Sequence, residues 1–241
     1  MAETPSHMRV GDHLLKPIEV RVIRWIVKRL PGWVNSDMLT GVGVLGAIAI
    51  FFGYWLCRFD QAFLWLASLG FVIHWFGDSL DGSLARFRNK QRPRYGFFID
   101  HTTDTLSMIL VFLGIGLSPY AKLSTALLAL VSYLCMSILV YLRTCTEGVF
   151  EISFHKVGPT EMRLLVIILN TLIYFFGNPH LTLSLGIGRV TVLDIVGYAV
   201  SIVFLIVYAV SMVRHGMVYA RQDSEKLAKL AKPKGQAKRG R

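Results

Sequence analysis

Residues 61–86 read QAFLWLASLGFVIHWFGDSLDGSLAR. From Gln61 to Gly77 the stretch holds no Asp, Glu, Lys or Arg, and then Asp78 and Asp81 arrive within one helical turn of each other. A helix crosses the hydrocarbon core of a bilayer with about 20 residues at about 1.5 Å rise each, so this run is long enough to span. It nevertheless ends in carboxylates. A membrane-length apolar helix finishing in paired acids sets the fold class and marks where chemistry concentrates.

Five further runs share its character, near 38–57, 96–117, 122–145, 161–177 and 192–214, the fifth of them short. Of the 241 residues 54% are hydrophobic and only 17% charged, against about a quarter charged in soluble domains. Mean hydropathy is +0.51. The expected architecture is an all-α integral membrane protein with six transmembrane helices plus an N-terminal amphipathic interfacial helix. Its parts are a cytoplasmic N-terminus over 1–37, a six-helix unit over 38–216 and a basic cytoplasmic tail over 217–241. The first 37 residues lack a short apolar core with a small-residue cleavage site, so no cleavable signal peptide is expected. Cys57, Cys135 and Cys145 lie in or beside apolar runs, at spacings that fit neither a metal site nor a disulfide framework.

Lysine and arginine set the expected orientation. Six precede the first run, five lie between Arg86 and Arg94, Arg143, Lys156 and Arg163 flank the fourth and fifth, and nine follow from Arg214. Only Arg58, Lys122 and Arg189 fall on the other side. Both termini and the 86–95 loop are therefore expected in the cytoplasm. The net charge of +11 is a topology signal rather than a sign of nucleic acid, since its placement follows the spans and no aromatic residues interleave the basic C-terminal stretch 226–241.

Residues 17–30 (PIEVRVIRWIVKRL) place Ile18, Val22, Trp25 and Ile26 on one helical face, with Arg21, Arg24 and Lys28 elsewhere. Pro17 suits a first helical position and Pro31-Gly32 a stop. This segment reads as a helix lying in the membrane interface. The low-complexity stretch KLAKLAKPKGQAKRGR over 226–241 reads as a disordered tail attracted to anionic lipid.

Four aspartates, Asp78, Asp81, Asp100 and Asp104, fall within 27 residues at the ends of two adjacent runs. Ionisable groups at the centre of a span cost roughly 2.5–3.5 kcal/mol each on insertion scales, and four like charges repel one another wherever they sit. Something positive must collect them. Asp78 and Asp81 share one helix face; Gly96, Asp100 and Asp104 step by four along another. The link from Arg86 to Gly96 is short, so the two helices are expected to be antiparallel neighbours with both acid pairs at the same depth. Such an oxygen cluster suits Mg²⁺ or Mn²⁺, with room for two ions sharing carboxylates. Gly82 and Ala85 let a pyrophosphate or base approach the backbone, or else they only pack helices. Arg86 is placed to meet a phosphate.

The run Asp78-x-x-Asp81-Gly82-x-x-Ala85-Arg86 followed by Gly96-x-x-x-Asp100-x-x-x-Asp104 resembles the full signature of the CDP-alcohol phosphotransferase family. The resemblance implies a phospholipid-biosynthetic membrane enzyme that moves a substituted phosphate from a CDP-linked donor to an acceptor hydroxyl and releases CMP. By position it implies that Asp78, Asp81 and Asp100 ligate metal. Asp104 would bind a second ion and act as general base, and Asp78, Asp81, Gly82, Ala85 and Arg86 would meet the nucleotide. It also implies a homodimer, with which the small residues Gly114 and Gly116 are compatible. Many members start the first span with Pro-Asn-x-Leu-Thr; here Ser36-Asp37-Met38-Leu39-Thr40 keeps only the last two. A nucleotide role for Thr40 is therefore not expected, and Ser36 or Asp37 is expected to cap the helix.

His101 after the third aspartate, and Gly158-Pro159-Thr160-Glu161, are similar to choline- and ethanolamine-phosphotransferases, which join a CDP-amino alcohol to diacylglycerol. His101 either assists the base or hydrogen-bonds the cluster. Glu161 either meets a positive headgroup, lines the acceptor path or caps its helix. The alternative is a CDP-diacylglycerol donor with a polar acceptor such as glycerol phosphate, inositol phosphate or serine. Arg143, Lys156 and Arg163 would then form a phosphate pocket, unless they are topology signals only; His155 reads as a loop residue. A cation transporter would instead place acids near mid-membrane on discontinuous helices, and an inactive scaffold would have lost a motif aspartate.

Overall fold

The apolar runs become six helices long and apolar enough to cross a membrane. The computed structural model describes residues 15–147, 158–178, 180–182 and 189–231. After the short α1 (Lys16–Val27) come α2 (Ser36–Leu56), α3 (Phe63–Phe87), α4 (Pro93–Leu117), α5 (Leu123–Glu147), α6 (Pro159–Phe176) and α7 (Val192–Ala231). A three-residue antiparallel pair, β1 (His180–Thr182) with β2 (Arg189–Thr191), lies between α6 and α7, with His180 opposite Thr191.

Helix α2 is the centre of the bundle. It packs along α3 more closely than any other pair and meets α4 on its other side; α5 joins α4 to α7, and α6 and α1 rest on α3. Lipid gives helices little hydrophobic reason to associate, so contact relies on small residues that let backbones approach. A Cβ at Gly46 would run into the backbone of His74, and one at Gly77 into the backbone of Gly43 and Leu39. Between these and the matching contacts Gly53–Ala67 and Gly70–Ile50, the two helices touch main chain to main chain. Gly114 seats α4 on the backbone of Phe51, and Gly116 packs on Leu123 and Ala126. Both glycines thus serve contacts within the chain.

Three expectations change. Helices α3 and α4 make no substantial direct packing among the described residues. Helix α2 stands against both, so the short link joins antiparallel helices separated by a gap. Helix α1 ends at Val27, short of Pro31. Its faces also divide: Ile23, Ile26 and Val27 pack on Leu80 and Leu84 of α3, whereas Ile18 and Trp25 stay 60% and 58% exposed. The exposed face suits the membrane interface, with the Arg29 guanidinium 4.0 Å over the Trp25 ring. Helix α7, finally, runs unbroken through Gly216 to Ala231. Its 40 residues rise about 60 Å, twice the hydrocarbon core of about 30 Å. Residues 217–231 are rich in helix formers and hold no proline, so the segment 226–231, expected to be disordered, is helical. The rest of that tail, 232–241, lies outside the described residues, as do residues 1–14.

The end of the bundle away from the aspartate motif is held by one buried carboxylate. Asp194 accepts from the backbone nitrogens of Lys122 (2.8 Å) and Thr191 (3.0 Å) and from the hydroxyls of Thr125 (2.8 Å) and Thr191 (3.1 Å). It ties the α4–α5 link to the start of α7.

The glycine contact can be tested by stability. Gly77→Ala forces a methyl group into backbone and should lower the melting midpoint of the detergent-solubilised protein; overpacking costs about 1–3 kcal/mol even where side chains can yield. Gly216→Ala faces open space and should hold or slightly raise the midpoint. Equal behaviour of the two variants would contradict the close contact.

Candidate active site

The motif acids sit where α3 ends and α4 begins. Asp78, Asp100 and Asp104 each offer a carboxylate oxygen, all within 4.8 Å of one another. Asp78, Asp81 and Asp104 line a cleft that α2, α3 and α4 build together. Thr40, Gly43 and Val44 of α2 form its floor; His74, Asp78 and Asp81 form one wall, and Thr103, Asp104 and Ser107 the other. The gap between α3 and α4 is therefore what makes the site.

Asp81 is held apart from the other three. Its Oδ2 accepts from the Thr40 hydroxyl (2.7 Å), its Oδ1 from the Gly82 backbone nitrogen, and its carbonyl from the Ser36 hydroxyl (2.7 Å). One expectation fails here. The cap of α2 is Asn35, whose side chain accepts from Met38 N at 2.9 Å, while Asp37 pairs with Arg92. Thr40, discounted on sequence, touches a motif aspartate. The signal was present in the retained Leu39-Thr40, but its meaning depends on α2 lying against α3.

Arg163 reaches from α6 to Asp78, Nη2 to Oδ2 at 2.5 Å, both side chains largely buried. It supplies one positive charge to the cluster. His101 lies 3.9 Å from Asp100 through Nδ1 and packs edge-on against Phe97, with Tyr141 beside it. The Arg86 side chain folds back over Gly82, its Nη1 about 3.4 Å from where a Cβ there would stand, and its Nη2 donates to Ser83 Oγ at 3.1 Å. Ala85 is half-buried on the same turn. Glu161 caps α6: Oε2 accepts from Gly158 N (3.0 Å), and Oε1 accepts from Leu15 N (2.8 Å) ahead of α1. Arg143 is half-buried near the end of α5. Lys156 and His155 lie outside the described residues.

A further acid was not anticipated. Glu19 of α1 accepts from Trp75 Nε1 (3.2 Å), Ser79 Oγ (3.4 Å) and Thr160 Oγ1 (2.7 Å), binding α1 to α3 and α6 behind the motif. Nothing in its local sequence marked it, because its partners lie 56, 60 and 141 residues away.

Three carboxylates this close repel unless positive charge or protons intervene. One guanidinium on Asp78 leaves Asp100 and Asp104 beside it, and an all-oxygen donor set fits a hard divalent cation.

Comparison with known proteins follows the same residues. The family model for CDP-alcohol phosphatidyltransferase matches residues 33–210. The chain is 28% identical to cholinephosphotransferase 1 of Mus musculus over 81% of its own length and 52% of that protein's. It is 30% identical to a phosphatidylinositol phosphate synthase of Cutibacterium acnes over 46% of this chain and 49% of that one. An archaetidylinositol phosphate synthase of Methanothermobacter thermautotrophicus is also 30% identical, over 68% of this chain and 78% of that one. The chain thus spans about half the length of the first two curated relatives.

Mn²⁺ should raise the melting midpoint of the purified protein, since a ligand at a hundredfold excess over its Kd stabilises by about 2.7 kcal/mol. Asp78→Asn and Asp100→Asn should each remove most of that rise, and Glu225→Gln, far along α7, should not. A full rise in both aspartate variants would exclude the cluster as the ion's site.

Proposed function

The chain belongs to the CDP-alcohol phosphatidyltransferase family, and from that premise we infer that it transfers a substituted phosphate from a CDP-linked donor to an acceptor hydroxyl in phospholipid synthesis, releasing CMP. The observation that carries this reading is the meeting of Asp78, Asp100 and Asp104 within 4.8 Å beside a cleft lined by Asp78, Asp81 and Asp104.

The donor's nucleotide end lies at the mouth of the cleft, where Gly82 leaves the backbone accessible and Arg86 swings from Ser83 onto a phosphate. Asp81, fixed by Thr40, orients the α3 end for that contact. The reacting hydroxyl enters beside Asp104. As its oxygen bonds to the donor's distal phosphorus, Asp104 accepts the proton. The phosphorus–oxygen bond to the CMP phosphate breaks, and CMP leaves with that electron pair. A Mg²⁺ or Mn²⁺ ion, or two, held by Asp78, Asp100 and Asp104 with Asp81 nearby, would neutralise the pyrophosphate and the departing CMP. Arg163 holds Asp78 in place when substrate is absent.

The subfamily we favour joins a CDP-amino alcohol to diacylglycerol. His101 stands beside Asp100, and the similarity to cholinephosphotransferase 1 runs over 81% of the chain. The second reading, CDP-diacylglycerol with a polar or phosphorylated acceptor, draws on the two inositol phosphate synthases. Glu161 is engaged by backbone nitrogens, which favours a capping role over headgroup binding. Arg143 and Lys156 stay with the second reading. The proposal includes a homodimer with both termini and the motif facing the cytoplasm. Transport is disfavoured, because the acids gather at one end of helices that are continuous among the described residues.

A panel of CDP-alcohols and CDP-diacylglycerol, each offered with lipid and polar acceptors, tests this through CMP release by the purified protein. Chelator should abolish turnover and Mg²⁺ or Mn²⁺ restore it. Asp104→Asn should bind CDP-donor within about threefold of wild type while its turnover falls at least a hundredfold, the span of a general base. Near-normal turnover of that variant would remove Asp104 from the role.

A further inference from the structure

Beneath the aspartates the cleft has a polar end that the reaction above leaves unused. His74 lies four residues before Asp78 on α3, and Ser107 three residues after Asp104 on α4. The two helices run in opposite directions, so both residues stand about one turn, roughly 4.5–6 Å, further from the motif end of the bundle. Both line the cleft. Both are buried, His74 at 3% exposure and Ser107 at 2%. The Nδ1 of His74 has no hydrogen-bond partner.

A buried nitrogen left unpaired costs about 1–3 kcal/mol, and nearly all such groups in native proteins find a partner. Helix packing does not require a histidine here. The α2–α3 contact at this level is made by Gly46 against the His74 backbone, which any side chain would allow. An imidazole that lines the cleft one turn deeper than the reacting groups and keeps a buried nitrogen unpaired is placed for a ligand atom.

The chemistry of that atom follows from depth. Whichever substrate carries the lipid, its glycerol leads from the reacting oxygen or phosphate toward the hydrocarbon, and its ester carbonyls come next, a few bonds further in. Ester carbonyls only accept hydrogen bonds, and a neutral imidazole can place its proton on Nδ1. Helix α6 packs on α3 and α5 on α4, while α5 and α6 make no substantial direct packing with each other among the described residues, which leaves acyl chains a way out between them.

We propose that His74 is a specificity residue that donates from Nδ1 to an ester carbonyl of the diacylglyceryl group, with Ser107 completing the polar end of the cleft. This rests on the transferase reading above but does not depend on which substrate brings the glycerol.

The test compares ester-linked with ether-linked lipids of the same chain length, since an ether lacks the carbonyl. One arm uses diacylglycerol against dialkylglycerol with a CDP-amino alcohol; the other uses CDP-diacylglycerol against its dialkyl counterpart with a polar acceptor. In the arm that turns over, wild type should prefer the ester by about tenfold in kcat/KM, mostly through KM, the worth of one buried hydrogen bond. H74A should bring the ester lipid down to the ether's level, and H74N, whose amide can reach the Nδ1 position, should restore part of the preference. Wild type showing no ester preference would overturn the proposal without any variant, as would an H74A protein that keeps it. If neither arm releases CMP, the transferase reading itself fails, and binding of the two lipid types to wild type, read by thermal shift, still decides His74: equal shifts refute it, a larger ester shift supports it.

Discussion

The contact on which the rest depends is the main-chain approach of α2 to α3. Gly43, Gly46 and Gly53 meet the opposing backbone around Gly77, His74 and Ala67, and at Gly46 and Gly53 nothing bulkier fits. In lipid such packing substitutes for the hydrophobic effect. Its chemical consequence is that the first turn of α2 lies against the last turns of α3, so Ser36 and Thr40 reach Asp81. With α4 seated on the other side of α2 through Gly114, α3 and α4 face each other across a gap instead of packing. The cleft is that gap, and its floor is the helix that holds its walls apart.

Electrostatics then explains why the motif end is so heavily tied down. Asp78, Asp100 and Asp104 repel at their separation, and the fold answers with Arg163 from α6 and with hydrogen bonds that fix Asp81. Glu19 and Glu161 bind α1, α3 and α6 into one frame through hydroxyl, indole and backbone donors. The Arg88 guanidinium gathers the carbonyls of Leu30, Pro31, Gly32 and Val34, pinning the α1–α2 link to the end of α3. A preorganised set of dipoles and charges is what stabilises a developing phosphoryl transition state, and here it is assembled from five separate stretches of chain.

The opposite end offers a contrast. Asp194 is as buried as any group in the protein, yet all its neighbours donate hydrogen bonds to it, so it reads as structural. His74 is as deeply buried but keeps an unpaired nitrogen. Burial alone does not mark a functional group; burial with an unmet partner, facing a cleft, does.

The sequence by itself determined the membrane class, six spans whose ends fall within a few residues of those observed except at the C-terminal end of the last, and the identity and spacing of the four aspartates. These are local properties: hydropathy accumulates along the chain, and residues three or four apart share a helix face wherever the helix goes. It also marked α1 as an amphipathic helix, though not which of its apolar residues would face protein. Only the tertiary structure decided that α3 and α4 stand apart, that Asp81 is held by Thr40 while three acids converge, that Arg163 joins them from 85 residues away, and that His74 ends the cleft. Each of those depends on how closely two backbones approach across the bundle. That distance is set by pairs of glycines remote in sequence, and no period along the chain records it.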